Sequence, residues 1–137
     1  MKALAVDLRA LGDTTPLWND WLEDARRRFR IDANDLEREL PNWRDLLQRF
    51  AEDRAPVYFR RDSDLSAALR RLQAANVDVY VFTDAPLELA RIALSHLGAE
   101  RRVAGLEAGD GARERALEHA GGDATVVVTR EELLAVT

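Results

Sequence analysis

Four short apolar runs, separated by helical patterns, constrain this chain more than any other feature. They are "KALAV" at 2–6, "VDVYVF" at 77–82, "RVAGL" at 102–106 and "ATVVVT" at 124–129. Each is continuous or nearly so, which suits strands covered on both faces by helices. Between them, "SDLSAALRRLQAAN" sets Leu65, Ala68, Leu69 and Leu72 on one stripe, with Asp62 or Ser63 as its N-cap. "APLELARIALSHLG" carries Pro86 in its first turn and Gly98 past its end, and "ARERALEHAGG" stops at Gly121. Strand and helix in alternation predict an α/β fold: a doubly wound, Rossmann-like parallel sheet with right-handed crossovers. Connection lengths and handedness give the strand order 3-2-1-4.

The interval 14–56 interrupts this rhythm. Thr14 or Thr15 is placed to cap a helix opened by Pro16, with Trp18, Trp21, Leu22, Ala25 and Phe29 as its apolar stripe. Pro41 precedes a second helix bearing Trp43, Leu46, Leu47 and Phe50, and "DANDLEREL" adds a shorter one. A helical insertion therefore follows strand one within a single domain, 1–137. All three tryptophans lie in it, where filling the insertion's own core is the expected role.

Composition removes several classes of function. A formal net charge of -5 offers no concentrated basic face for nucleic acid, and "RRRFR" at 26–30 reads as a solvated helix end. The absence of cysteine excludes a thiolate nucleophile and zinc sites built on cysteine. Asp7 and Arg9 break the first apolar run too early for a signal peptide, and no segment reaches the ~20 apolar residues of a membrane span. A cytoplasmic protein without nucleic-acid or membrane partners is the expectation. Lys2 is the only lysine, and it begins strand one at the end opposite any cleft.

In doubly wound sheets the ligand crevice lies at the carboxyl ends of the strands, beside the switch in strand order. That rule gathers Asp7, then Thr83 with Asp84, then Thr129 with Arg130, at three strand ends. "LAVDLRALGDTTPLW" resembles the first motif of the haloacid dehalogenase (HAD) superfamily, an apolar strand ending in D-x-D-G-T, as far as Asp7. "VYVFTDAPLELARIALSHLG" resembles the second, an apolar strand ending in threonine or serine before a helix, at Thr83. The insertion at 14–56 stands where members of the superfamily carry a small cap, so the resemblance runs across essentially the whole chain.

The resemblance implies phosphoryl transfer with Mg2+, through an aspartyl-phosphate at Asp7, with Thr83 as phosphate donor and Asp7 as metal candidate. Asp84 and Arg113 are the further substrate-binding candidates. The chain departs from the pattern at three points. Arg9 replaces the second aspartate, and an arginine with a pKa above ~12 cannot exchange a proton near neutrality. The phosphate-holding lysine is missing, which leaves Arg113 or Arg115 to supply charge. At strand four, "VVVTREELL" places Glu131 and Glu132 in a capping box begun by Thr129 rather than in a metal site. Asp13 could reach the cleft, although a turn or cap is its ordinary use. Dehalogenases of the superfamily dispense with the second aspartate and the metal but still use a lysine. Three readings follow: a catalytically degenerate HAD-like protein, a phosphatase of small phosphate esters similar to phosphoglycolate phosphatases, and an interaction module pairing subunits as a homodimer through the tryptophan helices.

Overall fold

Parallel pairing at the centre of the sheet starts from the first apolar run. The computed structural model describes residues 3–137. Strand β1 (Ala3–Asp7) pairs in parallel with β2 (Asp78–Thr83) on one side and with β4 (Thr125–Val127) on the other, while β3 (Gly105–Ala108) extends the sheet beyond β2. The order is β3-β2-β1-β4 and every pairing is parallel, the arrangement the alternation predicts. Lys2, the sole lysine, lies outside the described residues. One strand is displaced: the run expected at 102–106 pairs only at 105–108. Glu100–Arg102 is taken into a 3-10 turn, and Ala104 N–H bonds to Val79 O at 2.8 Å, so pairing on β2 begins late.

Alternation along the two central strands sends Leu4, Val6, Val79 and Val81 into the main core, while Ala5 and Phe82 enter a smaller cluster with Ala112 and Ala116. The second cluster belongs to α6 (Ala112–Ala120). On the main side stand α4 (Ser63–Ala74), α5 (Leu87–His96) and α7 (Arg130–Ala135), contributing buried Leu65, Leu69, Leu89, Leu94 and Leu133. Pro86 sits just before α5, at its N-cap, rather than within its first turn.

The insertion forms α1 (Thr15–Phe29), the short α2 (Leu36–Glu39) and α3 (Trp43–Tyr58). Thr14 stands at its N-cap, as expected, but its side chain makes no capping bond; Asp13 Oδ1 accepts the Thr15 N–H at 2.9 Å instead. Trp18, Trp21 and Trp43 lie together with ring centroids 5.4–6.1 Å apart, the filling role assigned to them from sequence. Leu17, absent from the expected stripe, is fully buried, whereas Phe29 at its end is exposed. Buried Leu17, Trp21, Leu47, Ala51 and Ala55 are continuous with the core under the sheet. The Tyr58 hydroxyl donates to Asp20, tying α3 to α1, and Arg44 on α3 meets Glu88 on α5 at 3.0 Å. No helix among the described residues is long and apolar enough to cross a membrane.

Candidate functional site

Above the carboxyl ends of β1, β2 and β3 lies an open, polar cleft of about 280 Å³. Asp7, Thr83, Asp84 and Arg113, the candidates chosen from sequence, all line it, together with Arg9, Asp13, Asp110 and Glu114. Topology explains the first three: Asp7 pairs with Phe82 across the two central strands, so Asp7 and Thr83 leave the sheet side by side. The insertion enters only through its first residues, Thr14 and Thr15.

Asp7 is half-buried where β1 turns into a single 3-10 turn, Leu8–Ala10. Its Oδ1 accepts the Arg9 N–H at 3.0 Å, so one carboxylate oxygen is committed to the turn that carries Arg9. Thr83 is 7% exposed and its Oγ1 accepts the Ala85 N–H at 3.2 Å. Asp84 is exposed at the rim. Gly12 serves packing rather than chemistry, since a Cβ there would stand 2.8 Å from Leu97 Cδ1.

The two arginines that sequence left as alternatives have different surroundings. Arg115 donates to Asp110 O at 2.6 Å and Ala108 O at 2.7 Å and approaches Glu107 at 3.5 Å, so it braces the turn from β3 into α6. In that turn Gly109 and Gly111 both hold positive φ, a conformation glycine adopts without steric cost. Arg113 faces the cleft, its guanidinium 5.8 Å from the Phe82 ring centroid.

The strand-four end departs from the sequence expectation. Thr129 and Arg130 do not line the cleft. β4 stops at Val127, and Arg130 turns to Asp62, with Nε 2.9 Å from Oδ2, and to Asp64 at 3.4 Å. Asp62 is the α4 N-cap, accepting the Asp64 and Leu65 N–H groups at 3.0 and 3.3 Å. Hydrogen bonding from Arg130 holds the Asp62 carboxyl below its ordinary pKa. Thr129 caps α7 by accepting the Glu132 N–H at 3.1 Å, and Glu131 and Glu132 stand outside the cleft.

Magnesium seeks near-octahedral oxygen ligands. Among the described residues no three carboxylate or imidazole side chains gather as a set able to hold a metal. The acidic side chains are spread around the rim, and Asp7 and Asp13 each give an oxygen to a backbone N–H. The residues described do not fit the ion.

The sequence matches no family model. No curated protein matches it either. Among solved structures it is similar to the crystal structure of a "putative beta-phosphoglucomutase" from Thermotoga maritima, with a TM-score of 0.58 and 16% identity over 99% of this chain and 98% of that one. At that identity the likeness speaks for the fold alone. The shared fold is a doubly wound, Rossmann-like parallel sheet.

Proposed function

We propose that this chain is a HAD-fold protein that has lost hydrolytic chemistry and keeps its cleft for binding. The observation that carries the reading is the company of Asp7. A working phosphoryl site of this kind needs a proton-exchanging group beside the nucleophile and preorganised positive charge on the phosphoryl oxygens. Arg9 occupies the place of that group and cannot exchange a proton near neutrality. The end of β4, where the resemblance expects metal-holding carboxylates, is occupied by the Arg130–Asp62 pair.

A second reading, a weak phosphatase of small phosphate esters, draws on Thr83 and Arg113 sharing the cleft with Asp7. In it Asp7 is the nucleophile, Thr83 donates to a phosphoryl oxygen and Arg113 provides the charge of the missing lysine. The two are separated by titrating magnesium by calorimetry, with and without beryllium fluoride, alongside a phosphate-ester screen with magnesium, manganese and cobalt. Asp7→Asn is the control. Degeneracy predicts no heat and no turnover that depend on Asp7; turnover abolished by Asp7→Asn overturns it in favour of the phosphatase.

A further inference from the structure

We infer that the outer groove of the helical insertion, between α1 and α3, is the surface on which two copies of this chain pair, with α3 lying antiparallel against the partner's α3. The groove has a volume of about 300 Å³, and its apolar lining is Trp21, Phe29, Leu46 and Phe50. Trp21 is buried in the insertion's own core. Leu46 and Phe50 are only half-buried, and Phe29 is 39% exposed, one of three large apolar side chains left exposed among the described residues. Apolar surface gathered in this way inside a charged rim marks a site of association.

The charges of that rim select the occupant. Five charged side chains line the groove, and three are engaged within the chain: Asp24 pairs with Arg28 at 3.7 Å, and the Arg54 guanidinium lies 4.9 Å from the Phe50 ring centroid. The other two, Arg49 and Asp53, are exposed, stand about one turn apart on α3 and make no ion pair among the described residues. A two-fold interface uses the same patch on both copies, so that patch must carry both members of every contact. Arg49 and Asp53 meet this condition. With the axis at the level of Ala51, midway between them, an antiparallel α3 sets Arg49 against the partner's Asp53 and Asp53 against the partner's Arg49. The two α3 helices, each flanked by its own α1, then form a four-helix bundle. Exposed ion pairs add little energy, so affinity comes from covering Phe29, Leu46 and Phe50, while the reciprocal pairs fix register and direction. One helical face from each copy stands at the small end of stable interfaces, which makes the pairing weak and concentration-dependent.

Sedimentation velocity of the full chain across the micromolar range reads the pairing, with circular dichroism to confirm that each variant is folded. The wild type is expected to show a monomer–dimer equilibrium. Arg49→Asp and Asp53→Arg each set like charges against one another across the axis and are expected to weaken dimerisation at least about tenfold. Both residues are exposed, so neither change disturbs the core. Mixing the two single variants rebuilds both ion pairs between unlike chains, and the double variant Arg49→Asp, Asp53→Arg rebuilds them between like chains, so both samples are expected to dimerise as the wild type does. A fold damaged by substitution, or an interface elsewhere on the molecule, gives no such recovery. A wild type that stays monomeric throughout overturns the inference, and so does dimerisation that both single variants leave unchanged. Loss without recovery in the mixture and the double variant also overturns it, because the two residues then do not face each other.

Discussion

Replacing Asp62 tests why the end of β4 is diverted from the cleft. Its carboxylate accepts two N–H groups at the start of α4 and receives Arg130 Nε at 2.9 Å. Asp62→Ala removes both roles. Loss of an N-cap side chain costs about 1 kcal/mol, reaching about 2 in favourable cases. The side chain is one-third exposed, so solvent screening keeps the ion pair's share small. For 137 residues, 1 kcal/mol corresponds to roughly 3.5 °C in melting temperature, so Asp62→Ala is expected to melt roughly 3 to 7 °C lower. Asp62→Asn retains the capping oxygen and is expected to lose less than half of that. The pH dependence carries a definite sign. Arg130 lowers the folded pKa of Asp62, so the charge-dependent stability is fully present above the ordinary aspartate pKa of about 3.9 and is lost as pH falls through the lower folded value. The gap between wild type and Asp62→Asn should therefore hold from neutrality to about pH 5 and close below about pH 4. Thermal and urea melts across this range decide the matter. Equal losses for the alanine and asparagine variants, or a gap that widens on acidification, would refute the assignment of Asp62 as cap and ion-pair partner together.

Two further perturbations address the insertion and the cleft floor. Leu47→Ala, at a fully buried α3 position continuous with the core beneath the sheet, is expected to cost about 3 kcal/mol and to leave one cooperative transition; calorimetry showing two separate transitions would mean that the insertion melts on its own. Arg115→Gln releases the carbonyls of Asp110 and Ala108, so hydrogen exchange at Gly109, Asp110 and Gly111 should quicken while amides in β1 and β2 keep their protection. Unchanged exchange in that turn would remove Arg115 from its bracing role.

Strand and helix alternation and the sheet order were legible in the sequence, because hydrophobic periodicity and crossover handedness are local or nearly local properties. Asp7 and Thr83 were legible as cleft residues for the same reason: each ends an apolar strand, and parallel strands deliver their ends to one side. The displaced third strand was not, since "RVAGL" is apolar enough for pairing from 102 onwards, and only the 3-10 turn at Glu100–Arg102 delays it.

What tertiary structure decided is the partnership of charged side chains. Arg113 and Arg115 are two residues apart and identical in type, yet one faces the cleft and the other braces a loop. Arg130 lies 68 residues from Asp62, a distance over which no periodicity or capping pattern carries information. Long arginine side chains reach several alternative acceptors at little cost, so their choice follows from which backbone and carboxylate oxygens the finished fold brings near. The sequence by itself determined the scaffold and the place of the cleft; which charges fill that cleft, and which are spent holding helices and turns, was decided only when the chain had folded.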